Sequence, residues 1–252
     1  MILTVLGSGT FQPSMQRGCS GYLIEIKKKN ILFDCGPGVL RQLAIVGKHA
    51  KDIDFIFFSH LHPDHICDLI PVLFAKKHSG KEEHKKIRLY GPPGFKTFLL
   101  SWIVPFAKWL EGYPQFCEIG EYNESQIQTD DWIFTCLPVL HSDDSYGLKV
   151  TEDNDISLAY SGDADYCGSL VELCTNTHTA ILECSFSDKN KVKGHLSPAD
   201  IKRIARESNC RNIILSHIFP ETDTPDLIEE FSDLTGTNVN IAKELETITI
   251  SV

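Results

Sequence analysis

The sequence predicts a layered α/β fold in which helices cover sheets. Short apolar, β-branched runs recur early and late in the chain, stretches of helical periodicity separate them, and 252 residues of 42% hydrophobic content can bury a large core. No low-complexity linker, repeat or break in composition divides residues 1–252, so a single domain is expected.

In chain order, GSGT at 7–10 reads as a tight turn, because it lacks both a GxGxxG pattern and the Lys-Ser/Thr ending of a phosphate loop. GYLIEI and ILFDCG are strand-like and flank KKKN (27–30), a solvated hairpin turn. IDFIFFSH has the composition of a buried strand and ends on His60. HICDLIPVLFAKKH reads as a helix kinked at Pro71, and KKHSGKEEHKKIR (76–88) as an exposed connection of mixed charge. Further apolar runs end on His141 (WIFTCLPVLH), Asp163 (ISLAYSGD), Glu183 (AILE) and His217 (RNIILSH). SPADIKRIARES opens a helix with Ser197 at the N-cap and Pro198 at N1, and TPDLIEEFSDL predicts another. If the strands share an edge, their polar ends converge on one cleft.

The net charge of −10 argues against a broad nucleic-acid-binding face. No stretch approaches the roughly 18 apolar residues of a membrane span, and MILTVLGSGTF has no basic leader, so neither insertion nor export is expected. Nine cysteines, an odd number without a CxxC pair, fit a reducing compartment, and the expected location is the cytoplasm. Most are expected to be small core residues, Cys67 included, although it lies beside the histidine cluster.

That cluster is HLHPDH, four ligand-type residues in six positions directly after a buried run. Pro63 holds His62 away from helical geometry, so His60 and His62 can grip one ion while Asp64 and His65, at a helix entry, reach a second. Imidazole and carboxylate suit Zn²⁺, accommodate Mn²⁺ or Fe as well, and contain no thiolate of the kind that closes structural zinc sites.

HLHPDH at 60–65 resembles the HxHxDH signature of metallo-β-lactamase-fold hydrolases, and His141, Asp163 and His217 follow in the family's order. The resemblance implies a four-layer αββα sandwich with a two-metal cleft: His60, His62 and His141 on one metal, Asp64, His65 and His217 on the other, and Asp163 bridging them. LGSGTFQPSMQRGCSGYLIE, LFDCGPGVLRQL, HSDDSYG, LECSF and GHLSP narrow it to the ribonuclease Z-like branch. That branch implies a metal-bound water as the source of hydroxide, Asp64 orienting or deprotonating this nucleophile, His195 at the scissile phosphate or leaving oxygen, Glu183 supporting the histidines, and a homodimer. Tyr146 is read as contacting substrate or packing at the rim, and Arg17 as meeting a phosphate or pairing with a carboxylate. His49, His78, His84 and His178 are expected at the surface.

The sequence departs from tRNA-processing ribonuclease Z in three ways. The interval 142–162 is too short for the projecting arm that grips RNA, Pro63 stands where that motif usually has glycine, and LSHIFPET lacks the usual residues after the last histidine. These departures and the acidic charge favour a small phosphodiester such as a cyclic nucleotide, with RNA disfavoured. Lactone or aryl-sulfate hydrolysis and a non-catalytic, metal-stabilised interaction module are the remaining alternatives.

Overall fold

The computed structural model describes residues 1–12, 14–78, 85–129 and 131–251. A first sheet holds β1 (Ile2–Gly7), β2 (Gly21–Ile26), β3 (Lys29–Phe33), β4 (Phe55–Phe57), β5 (Ile87–Gly91) and β6 (Cys117–Glu121). A second holds β7 (Gln126–Gln128), β8 (Trp132–Pro138), β9 (Tyr146–Glu152), β10 (Ser157–Tyr160), β11 (Thr179–Glu183), β12 (Asn212–Ser216) and β13 (Asn238–Ile241). The last strand, β14 (Thr247–Thr249), returns to the first sheet against β1. The spatial orders are β14-β1-β2-β3-β4-β5-β6 and β13-β12-β11-β10-β9-β8-β7.

Period-two alternation sorts the side chains into layers. Along β3, Ile31 and Phe33 face the other sheet while Leu32 faces outwards; along β11, Ile181 faces inwards between Ala180 and Leu182. The inner faces meet in an aromatic core where Phe57 stacks on Phe134, ring centroids 3.8 Å apart, and Phe33 stacks on Tyr160 at 6.1 Å. Outside the first sheet lie α1 (Val39–Ile45), α2 (Pro63–Ile66), α3 (Leu69–His78), α4 (Phe95–Phe98) and α5 (Val104–Phe106), with Leu43, Val72, Leu73 and Phe95 packed on Leu32, Ile56 and Leu89. Outside the second lie α6 (Gly168–Cys174) and α7 (Pro198–Ser208), whose Leu170, Ile201 and Ile204 cover Ala180, Leu182 and Leu215. The four layers are helix, sheet, sheet, helix.

The two sheets repeat one pattern that the sequence does not betray. Both run through antiparallel pairings (β14 to β3, β7 to β10) and then through parallel ones (β3 to β6, β10 to β13). Parallel strands share a C-terminal edge, so the residues that follow β3, β4, β10, β11 and β12 meet there.

Four expectations need correction. The break in 65–78 falls between α2 and α3, ahead of Pro71, because Asp68 turns its carboxylate to the backbone N–H groups of Gly38 and Leu40; Pro71 sits in the first turn of α3, where a missing N–H costs nothing. TPDLIEEFSDL forms only a 3₁₀ turn, Leu227–Phe231, held by three-residue bonds such as Leu227 N–H to Thr224 O. Of the connection 76–88, Lys76, Lys77 and His78 belong to α3 and Ile87 and Arg88 to β5, while 79–84, His84 included, lie outside the described residues. Cys67 is exposed, whereas Cys19, Cys35, Cys117, Cys136, Cys174, Cys184 and Cys210 are buried. The turn between β2 and β3 is as expected; there Lys27 reaches Asp131 and Asp153. Among the described residues no helix is long and apolar enough to cross a membrane.

Candidate metal centre

Each strand end delivers its polar residue by a local device. After β4 the chain carries His60 inwards, stays extended at His62 (φ −65°, ψ 147°), and enters α2 at Pro63, which places Asp64 and His65 in one helical turn. Beyond β8, a bridge between Leu140 and Asp165 sets His141 beside Asp163. The loop after β10 turns at Gly162 (φ +58°), where an added Cβ would lie 2.7 Å from the Cβ of Ser59, so only glycine lets the two strand ends approach. His217 follows β12 at φ 49°, a conformation unusual for a side-chain-bearing residue and often found at functional sites. Gly7 admits a similar approach, since a Cβ there would collide with the carbonyl of Cys19, and Ser8 O accepts the N–H of Ile218 beside His217.

Two groups of donors result. His60 Nε2 and His141 Nε2 lie 3.0 and 3.2 Å from His62 Nδ1, and each lies 3.8 Å from Asp163 Oδ2. On the other side, Asp163 Oδ1 lies 3.2 Å from His65 Nε2 and 3.3 Å from His217 Nε2, while Asp64 Oδ2 lies 3.8 and 3.5 Å from the same two nitrogens. Asp163 therefore turns one oxygen to each histidine set. Within each set the donor atoms lie within 4.8 Å of one another.

Outward hydrogen bonds fix which nitrogen faces the cleft. Asp34, at φ 57° just past β3, accepts the Ser59 N–H on Oδ1 and, on Oδ2, the Ser59 hydroxyl, His65 Nδ1–H and the Tyr160 hydroxyl, each at 2.7 Å. With its own proton committed to Asp34, Ser59 Oγ accepts His60 Nδ1–H at 3.0 Å. His141 Nδ1–H donates to Gly194 O at 2.9 Å, and His217 Nδ1–H to Ser185 Oγ at 3.0 Å, the Ser185 proton being spent on Glu183. Four imidazoles thus aim Nε2 inwards. His65 Nε2, His217 Nε2 and Asp163 Oδ1 are buried without a hydrogen-bond partner, which is costly unless a cation satisfies them. This hard and borderline N/O donor set, arranged about one shared carboxylate, fits two divalent metal ions.

The surroundings also set the charges of these groups, and not all in one direction. Burial, with His65 adding to it, holds the His60 imidazole well below its usual range, and burial lowers His141 too, leaving both neutral. Burial opposes ionisation of Asp163, but the neighbouring His217 and His65 outweigh it and keep its carboxyl well below the ordinary range. At His65 burial is likewise outweighed, here by Asp163 and Asp34.

His195 joins Asp163 and His217 in a third close group, and its Nδ1–H is held by Glu183 at 3.1 and 3.2 Å. Glu183 is itself fully buried and also accepts the Ala164 N–H at 2.7 Å, so it orients its neighbours from behind. Arg17 spends its donors on Asp223, Ser8 and the carbonyl of Ala242, taking the carboxylate alternative. Tyr146 packs against Tyr122, ring centroids 5.2 Å apart. His49 and His78 are exposed as expected, but His178 is only 9% exposed, because its ring meets Ser157 between strand ends. Sequence reasoning assigned no role to Asp34, Ser59, Tyr160 or Ser185. Asp34 carried the signal that marked Asp163, an aspartate ending an apolar run.

Residues 29–218 match the model of the Beta-lactamase superfamily domain. The chain belongs to the beta-lactamase superfamily. Within this superfamily it is similar to the probable metallo-hydrolase YhfI of Bacillus subtilis, at 28% identity over 96% of this chain and 97% of that one. The crystal structure of YhfI superposes with a TM-score of 0.83, covering 98% of each chain. Ribonuclease Z of Myxococcus xanthus is 25% identical, covering 88% of each chain. Human tRNase Z, short form, shares the fold with a TM-score of 0.81 at 23% identity over the whole of both chains. The superfamily's metallo-hydrolase relatives and the His/Asp cluster place the chain among the metal-dependent hydrolases.

Proposed function

We propose that the chain is a binuclear phosphodiesterase acting on a small phosphodiester such as a cyclic nucleotide, with two Zn²⁺ ions and with Mn²⁺ or Fe as substitutes. The observation that carries the reading is the shared carboxylate: Asp163 faces His60 and His141 with one oxygen, and His65 and His217 with the other. Two divalent cations held there would acidify a water molecule and offset charge gathering at phosphorus. Asp64, facing His65 and His217, would orient the attacking water and take its proton. His195, fixed through Nδ1 by Glu183, would aim its other nitrogen at the phosphate and protonate the leaving oxygen. Asp34, Ser59 and Ser185 keep the imidazoles from swinging or changing tautomer.

A second reading, tRNA 3′-processing endonuclease, draws on the ribonuclease Z relative. Against it, the interval 142–162 is largely spent on β9 and β10, leaving no projecting arm between His141 and Asp163. The nine free thiols suit a reducing compartment and favour the cytoplasm. The deciding experiment compares bis-aryl phosphate, cyclic nucleotides, precursor tRNA, an acyl lactone and an aryl sulfate as substrates of the metal-loaded protein. Highest kcat/KM on a cyclic nucleotide is expected. Preference for tRNA would install the second reading, and preference for lactone or sulfate would overturn both.

A further inference from the structure

Beside the metal centre stands a row of phenyl rings that the proposed chemistry does not use. Phe186 lies edge-on to His195 with ring centroids 5.4 Å apart, Phe219 stacks on Phe186 at 4.8 Å and an interplanar angle of 23°, and Phe11 meets Phe219 edge-on at 5.4 Å. Phe219 also sits 6.1 Å from His217. The row therefore begins at the imidazoles of the site and ends at Phe11, which is 63% exposed. Phe219, in the middle of the row, is buried, so the accessible surface of the row belongs to Phe11 and the half-buried Phe186.

The rings are held in place by a polar clamp. Arg17, on the Phe11 loop, makes a bidentate pair with Asp223, four residues beyond Phe219, through Nε at 2.7 Å and a terminal nitrogen at 3.0 Å. Its remaining bonds go to Ser8 Oγ and Ala242 O, both at 2.8 Å, and Thr222 Oγ1 donates to the carbonyl of Ser185, next to Phe186. The segments bearing the three rings are thus tied together before any ligand arrives, which lowers the ordering cost of binding.

We propose that Phe11 and Phe186, backed by the buried Phe219, form a stacking wall for the nucleobase of the substrate. This inference rests on the phosphodiesterase reading and narrows its substrate to nucleotides. A nucleotide's base stands one sugar away from its phosphate, so a phosphate held beside His195 brings its base to the adjoining rings. Flat phenyl faces suit any base, because stacking needs only a π-face, and they supply no hydrogen bonds to tell one base from another. The wall selects for a base without choosing which.

The test measures, for wild type, Phe11→Ala and Phe11→Trp, the ratio of kcat/KM for adenosine 3′,5′-cyclic phosphate to that for the cyclic phosphate of a ribose lacking its base. Phe11→Ala should lower this ratio about 5- to 100-fold, the effect of removing one stacking partner, and Phe11→Trp should keep it. Equal losses on both substrates, or no loss on either, would overturn the wall. A parallel binding arm titrates metal-loaded wild type and Phe11→Ala with adenosine 5′-monophosphate and ribose 5-phosphate. If neither cyclic phosphate is hydrolysed, the phosphodiesterase reading fails while this arm still judges the wall: tighter binding of the adenosine compound, lost in Phe11→Ala, sustains it, and equal binding of the two overturns it.

Discussion

Asp34 receives four hydrogen bonds on its two oxygens, three of them on Oδ2, and it is fully buried. An amide could not replace it, because one of its two ends donates and would face donors already pointing inwards. Asp34→Asn should therefore free the His65 ring to change tautomer and protonate the nitrogen that faces the cleft. We predict an affinity about 10–100-fold weaker for one of two bound ions, read by chelator competition, with the far-ultraviolet circular dichroism unchanged. Wild-type affinity for both ions would show that His65 needs no such anchor. The ligand-type residues were legible from local signals: His60, His141, Asp163 and His217 each end an apolar run, and His62, Asp64 and His65 crowd directly behind the first of these. Asp34 has the same local signal, yet its role is set by Ser59 and Tyr160, partners far along the chain that no spacing reveals.

At the scale of elements, the segment between β11 and α7 ties several parts of the site together. Lys191 bonds Asp165 Oδ1 at 2.8 Å and Asp200 Oδ2 at 2.6 Å; Asp200 also accepts the N–H of Ser197 at the start of α7. Asp165 Oδ2 takes the N–H of Gly194, whose carbonyl orients His141. Lys191→Met should speed hydrogen exchange at the Gly194 amide and slow turnover. Global stability should change little, because a partly exposed pair is worth about 0–1 kcal/mol. Unchanged exchange and turnover would show that the loop holds His141 without this lysine. Strand positions and the start of α7 followed from composition and capping. The split between α2 and α3 did not, because it depends on Asp68 capturing N–H groups in another segment, and the chain's 3₁₀ turn at Leu227–Phe231 mimics a helix in its apolar spacing.

Across the whole molecule, the donors that lack hydrogen-bond partners lie between the two sheets' edges, so ions bound there couple one half of the structure to the other. Metal present at roughly 100 times its Kd should stabilise the fold by about 2.7 kcal/mol for each ion, about 5.4 kcal/mol for two. In a chain of this size that raises Tm by about 10–20 °C with both ions bound, measured by calorimetry with and without chelator. An unchanged Tm would mean that the ions bind without bracing the sheets. The layered class was legible because alternation and run length are local properties; the repeated strand order was not, since backbone pairing leaves no repeat in the side chains. One pairing also bears on the order of folding. The strands β1 to β6 are synthesised by Glu121, but the free edge of β1 waits for β14, and Glu244 nearby receives the N–H groups of Ser8 and Gly18. A nascent chain therefore carries a bare, aggregation-prone edge while the entire second sheet is made. The Phe11 loop takes its tethers from Ala242 and Glu244, just ahead of β14, so the rim beside the site is complete only once the chain beyond the second sheet has been made.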